Sequence, residues 1–179
     1  MKALKIIITI IVILIAIPLV VALFVKKDYA VEREITINRP SQQVFDYIRL
    51  LKNQDQYSVW AMRDPQMKRS YSGTDGTAGF VASWESADKH VGKGSQTITR
   101  VVDGQRIESL LHFEVPFEAK DQAYMTTEAI SPDQTRVTWG FTGSFPYPMN
   151  IMQLFMNMDK AVGNDLSTGL ERLKQILEH

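Results

Sequence analysis

The sequence predicts an α+β fold. Its core is a seven-stranded antiparallel sheet wrapped around one long C-terminal helix, with two short helices after the first strand and one transmembrane helix ahead of the domain. Three observations predict it. Twenty successive residues, Ile6 to Val25, include a single polar side chain, Thr9. Six short stretches between about residues 67 and 144 are separated by clusters of Gly, Pro, Asp and Ser, the punctuation of successive hairpins. A run with helical periodicity, from about Pro148 to Leu177, closes the chain. Hairpin-linked strands with helices gathered on one face make an α+β arrangement.

The apolar run spans about 30 Å as a helix, the thickness of a bilayer's hydrocarbon. Val20-Val21-Ala22 could serve as a cleavage site. The run, however, exceeds the usual signal-peptide core of about 7–15 residues and continues through Leu23, Phe24 and Val25. Residues 1–27 therefore read as an uncleaved single-pass anchor, contacting the membrane through residues 6–25, and 28–179 as the domain. Lysines flank both ends, at Lys2 and Lys5 and at Lys26 and Lys27. The very short leading tail favours an N-terminus inside and an extracytoplasmic, periplasmic domain.

"YAVEREITI" alternates, with Val31, Ile35 and Ile37 on one face, and reads as a half-buried strand. "NRPSQQVFDYIRLLKN" switches to helical spacing: Val44, Phe45, Ile48 and Leu51 share a face, and Pro40-Ser41 suits a helix start. "DQYSVWAMRDP" predicts a short second helix or turn ending at Pro65. The strands that follow fall at roughly 67–72, 78–86, 93–102, 105–114, 118–130 and 134–144, by the alternation rule.

The closing helix carries a continuous stripe of Phe155, Met158, Val162, Leu166, Leu170, Leu173 and Leu177. From Leu166 onward the apolar sector is about 120° wide; before it, Met149, Met152, Met156, Leu154 and Ala161 widen it to about 240°. Methionine adapts to irregular space. The widened half is expected to line an apolar cavity with Asp159 as its polar point, or else to pack as core, or to face the membrane or the anchor. The alternation adds Trp84, Phe113, Trp139 and Phe141 as wall candidates, and Trp60 near the entrance.

Composition narrows the chemistry. There is no cysteine, which removes thiol nucleophiles, thiolate metal sites and disulfides. Three scattered histidines have no partner ligand at helical spacing, so no metal and no cofactor are expected. Twenty basic residues balance twenty acidic ones; with Lys2 and Lys5 set aside, residues 26–179 carry 18 against 20. Nothing there suggests nucleic acid. "GTDGTAG" lacks the helix and lysine of a phosphate loop, and no G-x-S-x-G elbow occurs.

With these segments in place, "VEREITINRPSQQVFDYI", "YSG" at 71–73, "SWES", "VGKGSQTI", "TRVTW" and "DKAVGNDLSTGLERLK" together resemble the START-like, or SRPBCC, superfamily. This is the helix-grip fold of polyketide cyclases, Bet v 1-like proteins and lipid-transfer domains. The likeness covers residues 29 to 178 and is nearest to bacterial members with an N-terminal membrane helix. It implies a hydrophobic cavity between sheet and helix that takes a lipid, sterol, polyketide or aromatic molecule. Three readings follow. The first is a non-catalytic domain binding a hydrophobic or lipid-like small molecule through Trp60, Trp84, Phe113, Trp139, Phe141, Met152, Phe155, Met156 and Asp159. The second is a cyclase or dehydratase, which requires Asp159 (or a pocket tyrosine) as acid or base, with a raised pKa and facing the cavity. The third is an interaction module for a membrane partner, which requires the methionines on the surface.

Overall fold

A computed structural model of the chain describes residues 2–179. Helix α1, Lys2–Ala22, is long and apolar enough to cross a membrane, and its side chains are exposed except at Ala22. Strand β1, Asp28–Ile37, leads into α2, Ser41–Ile48, whose Val44, Phe45 and Ile48 are completely buried. The first helical stretch ends in a separate 3-10 turn at Leu51–Asn53, and the segment expected as a short second helix or turn holds two pieces, α3 at Gln54–Tyr57 and α4 at Val59–Arg63. The extended backbone of Ser58 separates α3 from α4, so one amphipathic stripe never forms.

Six strands follow: β2 Lys68–Ser72, β3 Val81–Glu85, β4 Lys93–Val102, β5 Arg106–Val115, β6 Ala119–Ser131 and β7 Gln134–Ser144. They form a meander, and β1 closes it beside β7, in the order β1-β7-β6-β5-β4-β3-β2, every pairing antiparallel. Val31 pairs with Phe141 and Ile35 with Val137, so the face of β1 predicted to be buried does meet the core.

Helix α5, Met158–Glu178, lies across this sheet. It is shorter than the sequence suggests. Residues expected to begin it instead form a 3-10 turn, Met149–Leu154, and a break. Asn157 caps α5, its side-chain oxygen accepting from the Lys160 amide at 2.9 Å, with Asp159 in the first turn. Both features favour a helix start at this point rather than ten residues earlier.

The space between sheet and helix is filled unevenly. Towards the C-terminal end of α5, Ile37, Val44, Phe45, Ile48, Ile98, Ile107, Val137, Leu170 and Leu173 are all at most 3% exposed and pack into one cluster. Towards its N-terminal end, the end where α1 joins β1, side chains leave a void.

Candidate functional site

That void is a cavity of about 440 Å³, inside the range of about 300–1,000 Å³ that suits small molecules. Its wall is built from strands whose inward positions alternate as β geometry requires: Trp84 on β3, Leu111 and Phe113 on β5, Ala123 on β6, and Trp139 and Phe141 on β7. Met158, Val162 and Leu166 of α5 form the opposite wall, and Trp60 of α4 and Leu51 flank it. The aromatic rings brace one another. Trp139 meets Trp60 edge-on at 6.3 Å and Tyr57 at 5.6 Å, and Trp84 meets Phe113 at 5.9 Å. Gly169 admits Trp139 against α5; a Cβ there would lie 2.7 Å from the indole. The exposed part of the lining comprises Val115, Pro116 and Phe117, in and beside the β5–β6 loop, together with His90 and Tyr71; the three consecutive loop residues mark the mouth.

Polar groups occupy two places in this wall. At one, Asp121 of β6 is buried and accepts from the Tyr29 hydroxyl at 3.3 Å. Gly143, opposite Tyr29 in the sheet, makes the pair possible, because any Cβ there would run into both side chains. Burial pushes the Asp121 carboxyl above its ordinary value, with the Tyr29 hydroxyl and the Ser144 backbone opposing it. Burial and then the neighbouring Asp121 push the Tyr29 phenol up as well. At the other, Asp55 accepts from the Tyr71 hydroxyl at 2.5 Å and pairs with Arg69 at 3.2 Å. The Tyr71 phenol is pushed up to about 12, by burial first and then by Asp55. Among the described residues no three His, Asp or Glu side chains stand close enough to hold a metal ion.

Five of the nine residues singled out from sequence meet in the cavity: Trp60, Trp84, Phe113, Trp139 and Phe141. The other four do not. Met152, Phe155 and Met156 are exposed on the turn ahead of α5, because the helix that would have aimed them inward starts only at Met158. Asp159 lies outside the cavity with its side chain 67% exposed. Its carboxylate accepts from Arg33 Nη1 at 2.8 Å, and its backbone carbonyl accepts from Arg33 Nη2 at 3.0 Å. The hydrogen bond from Arg33 holds that carboxyl below the usual range, opposite to the direction the acid–base reading needs. Asp159 is therefore no pocket acid. Sequence inspection passed over Tyr29, Arg69, Tyr71, His90, Gln96 and Asp121 in the lining. For Asp121 a signal existed: it shares strand parity with Ala123 and Met125 and so had to point inward.

The family described as polyketide cyclase/dehydrase and lipid transport matches residues 29–178. The chain belongs to that family. Polyketide cyclase-like domains of this kind share the helix-grip architecture, and solved structures agree. Ara h 8.0201 is 12% identical with a TM-score of 0.54, over 84% of this chain and 97% of its own. A Chromobacterium violaceum protein is 11% identical at 0.58, with the same coverages. The Aha1 dimer from Colwellia psychrerythraea is 13% identical at 0.55, over 84% and 96%. At such identities the likeness speaks for the START/Bet v 1-like fold alone. Among curated proteins none matches the chain.

Proposed function

We propose that this family member is a membrane-tethered domain that holds a hydrophobic, lipid-like small molecule between its sheet and α5, with residues 1–27 as tether and 28–179 as container. The observation that carries the reading is the cavity of about 440 Å³, walled by tryptophan, phenylalanine and aliphatic side chains. Burial of apolar ligand surface would supply roughly 25 cal/mol per Å². The Tyr29–Asp121 and Arg69–Asp55–Tyr71 groups would orient a polar end. Trp60, Trp84, Phe113, Trp139 and Phe141 are the expected contacts.

Native mass spectrometry of the detergent-purified full chain is expected to show a bound small molecule. Ala123→Phe, which projects a ring into the cavity from β6, should abolish that adduct while thermal unfolding stays cooperative. An unchanged adduct would place the ligand elsewhere.

A second reading, acid–base chemistry of cyclase or dehydratase type, is favoured by one observation: Asp121 is the one buried carboxyl among the described residues, and it faces the cavity. It requires a protonated carboxyl near neutral pH. The check is an infrared carbonyl band that persists above the usual carboxylate titration and is missing from Asp121→Asn.

A further inference from the structure

The apolar side chains of residues 149–156 are left uncovered by the rest of the chain. Met149, Met152, Leu154 and Met156 are exposed, and Phe155 is 79% exposed. A contiguous patch of this kind usually marks a docking surface. What it continues is on the page. Asn150, completely buried, donates through Nδ2 to the carbonyls of Ala22 at 2.7 Å and Val25 at 2.8 Å. Gln153 Nε2 donates to the carbonyls of Lys26 and Lys27, at 2.7 and 2.9 Å. These take up carbonyls at and just beyond the end of α1, where helices leave them unpaired. Leu23 and Phe24 at that end are also exposed. The patch thus stands beside the end of the apolar surface of α1.

The cavity mouth lies on the same side. Asp28, the first residue after the α1 linker to enter the sheet, pairs with Ser144, and the β5–β6 loop bearing Phe117, itself 80% exposed, turns at this end of the neighbouring strands. Met158 is common to the cavity and to the hollow formed by residues 153–158. Charge offers little here: Lys26, Lys27, Lys89 and Lys93 stand among Asp28, Asp88, Glu114 and Glu118. The attraction this surface exerts is apolar.

We propose that residues 149–156 bed in the headgroup–acyl boundary of the bilayer entered by α1, holding the mouth against the lipid, and that the ligand is an acyl-chain amphiphile taken directly from that bilayer. An apolar surface at the end of a spanning helix, flanked by lysines that reach the headgroups, is stable at that depth. The ligand class rests on the cavity reading above; the seat in the bilayer does not.

The chain has no cysteine, so a single spin label can be placed in the full-length protein. In phosphatidylcholine vesicles, a label at Phe155→Cys should lie about 5–10 Å into the boundary region. It should be several-fold more accessible to dissolved oxygen than to an aqueous nickel chelate, with the reverse at Glu171→Cys, an exposed site on α5. A Phe155 label as open to nickel as the Glu171 label overturns the seat, and so does one shielded from both reagents, which would report cover by protein. Dansyl-labelled fatty acid in the same vesicles then reads loading, by energy transfer from Trp84 and Trp139. The double variant Leu154→Asp, Phe155→Asp should slow uptake several-fold and leave its end level unchanged. Equal rates overturn membrane loading and leave the cavity reading standing. A label in the bilayer with no uptake by either protein overturns the ligand class and leaves the seat standing.

Discussion

Asp121 sits in the cavity wall with the Tyr29 hydroxyl and the Ser144 backbone as its polar neighbours, and burial raises its pKa. Its neutral form is therefore favoured by the folded state. That contribution is complete below the ordinary carboxylate range, near pH 4, and is lost as pH rises through the raised folded value. Asp121→Asn should remove the dependence, so its stability should exceed that of the parent above this window and match it more nearly below. Urea unfolding between about pH 4 and 7 checks this. Asp159 behaves in the opposite sense. Its pKa is lowered chiefly by the hydrogen bond from Arg33, so its contribution is present above the ordinary range and is lost as pH falls below it. Exposure keeps that contribution small. Chain order alone could not separate these two aspartates. Asp159 lies within the helix's apolar sector but is drawn out by Arg33 from β1, 126 residues away. Asp121 looks like an ordinary strand residue until its parity with Ala123 is counted.

At the scale of elements, the strands were readable because turn residues interrupt them and alternation survives in each. All seven lie within a few residues of their expected bounds, as two-sided sheets with one packed face allow. The closing helix was not fully readable. Apolar spacing runs on through 149–156, so periodicity by itself fuses the turn and α5. What divides them is the cap at Asn157, a local hydrogen bond that no periodicity records. Asn157→Ala should cost about 1 kcal/mol and fray the first turn of α5, measurable by chemical denaturation. Of the places the sequence left open for the methionine-rich stretch, the cavity wall and the core are not where it lies: Met149, Met152 and Met156 are exposed. The tie from Asn150 to Ala22 and Val25 links it to the end of α1 instead.

Over the whole molecule, the grip is closed at one end and hollow at the other. The residues that fill the closed end, among them Phe45, Ile98, Val137 and Leu173, come from six different elements, and only folding reveals how completely they meet. The sequence could announce a helix held by a sheet, and could name five aromatic residues of the cavity wall. It could not say which half of the helix would stand over empty space. This lopsidedness has a dynamic corollary. Backbone amides of β1 and β7 near Ile37 and Val137 should exchange with deuterium only when the entire domain opens, whereas those near Asp121 and Phe141 should escape through smaller, independent openings. Occupation of the hollow would then quiet one end of each strand while leaving the other untouched, and mass-resolved exchange with and without added fatty acid would display that gradient along single strands.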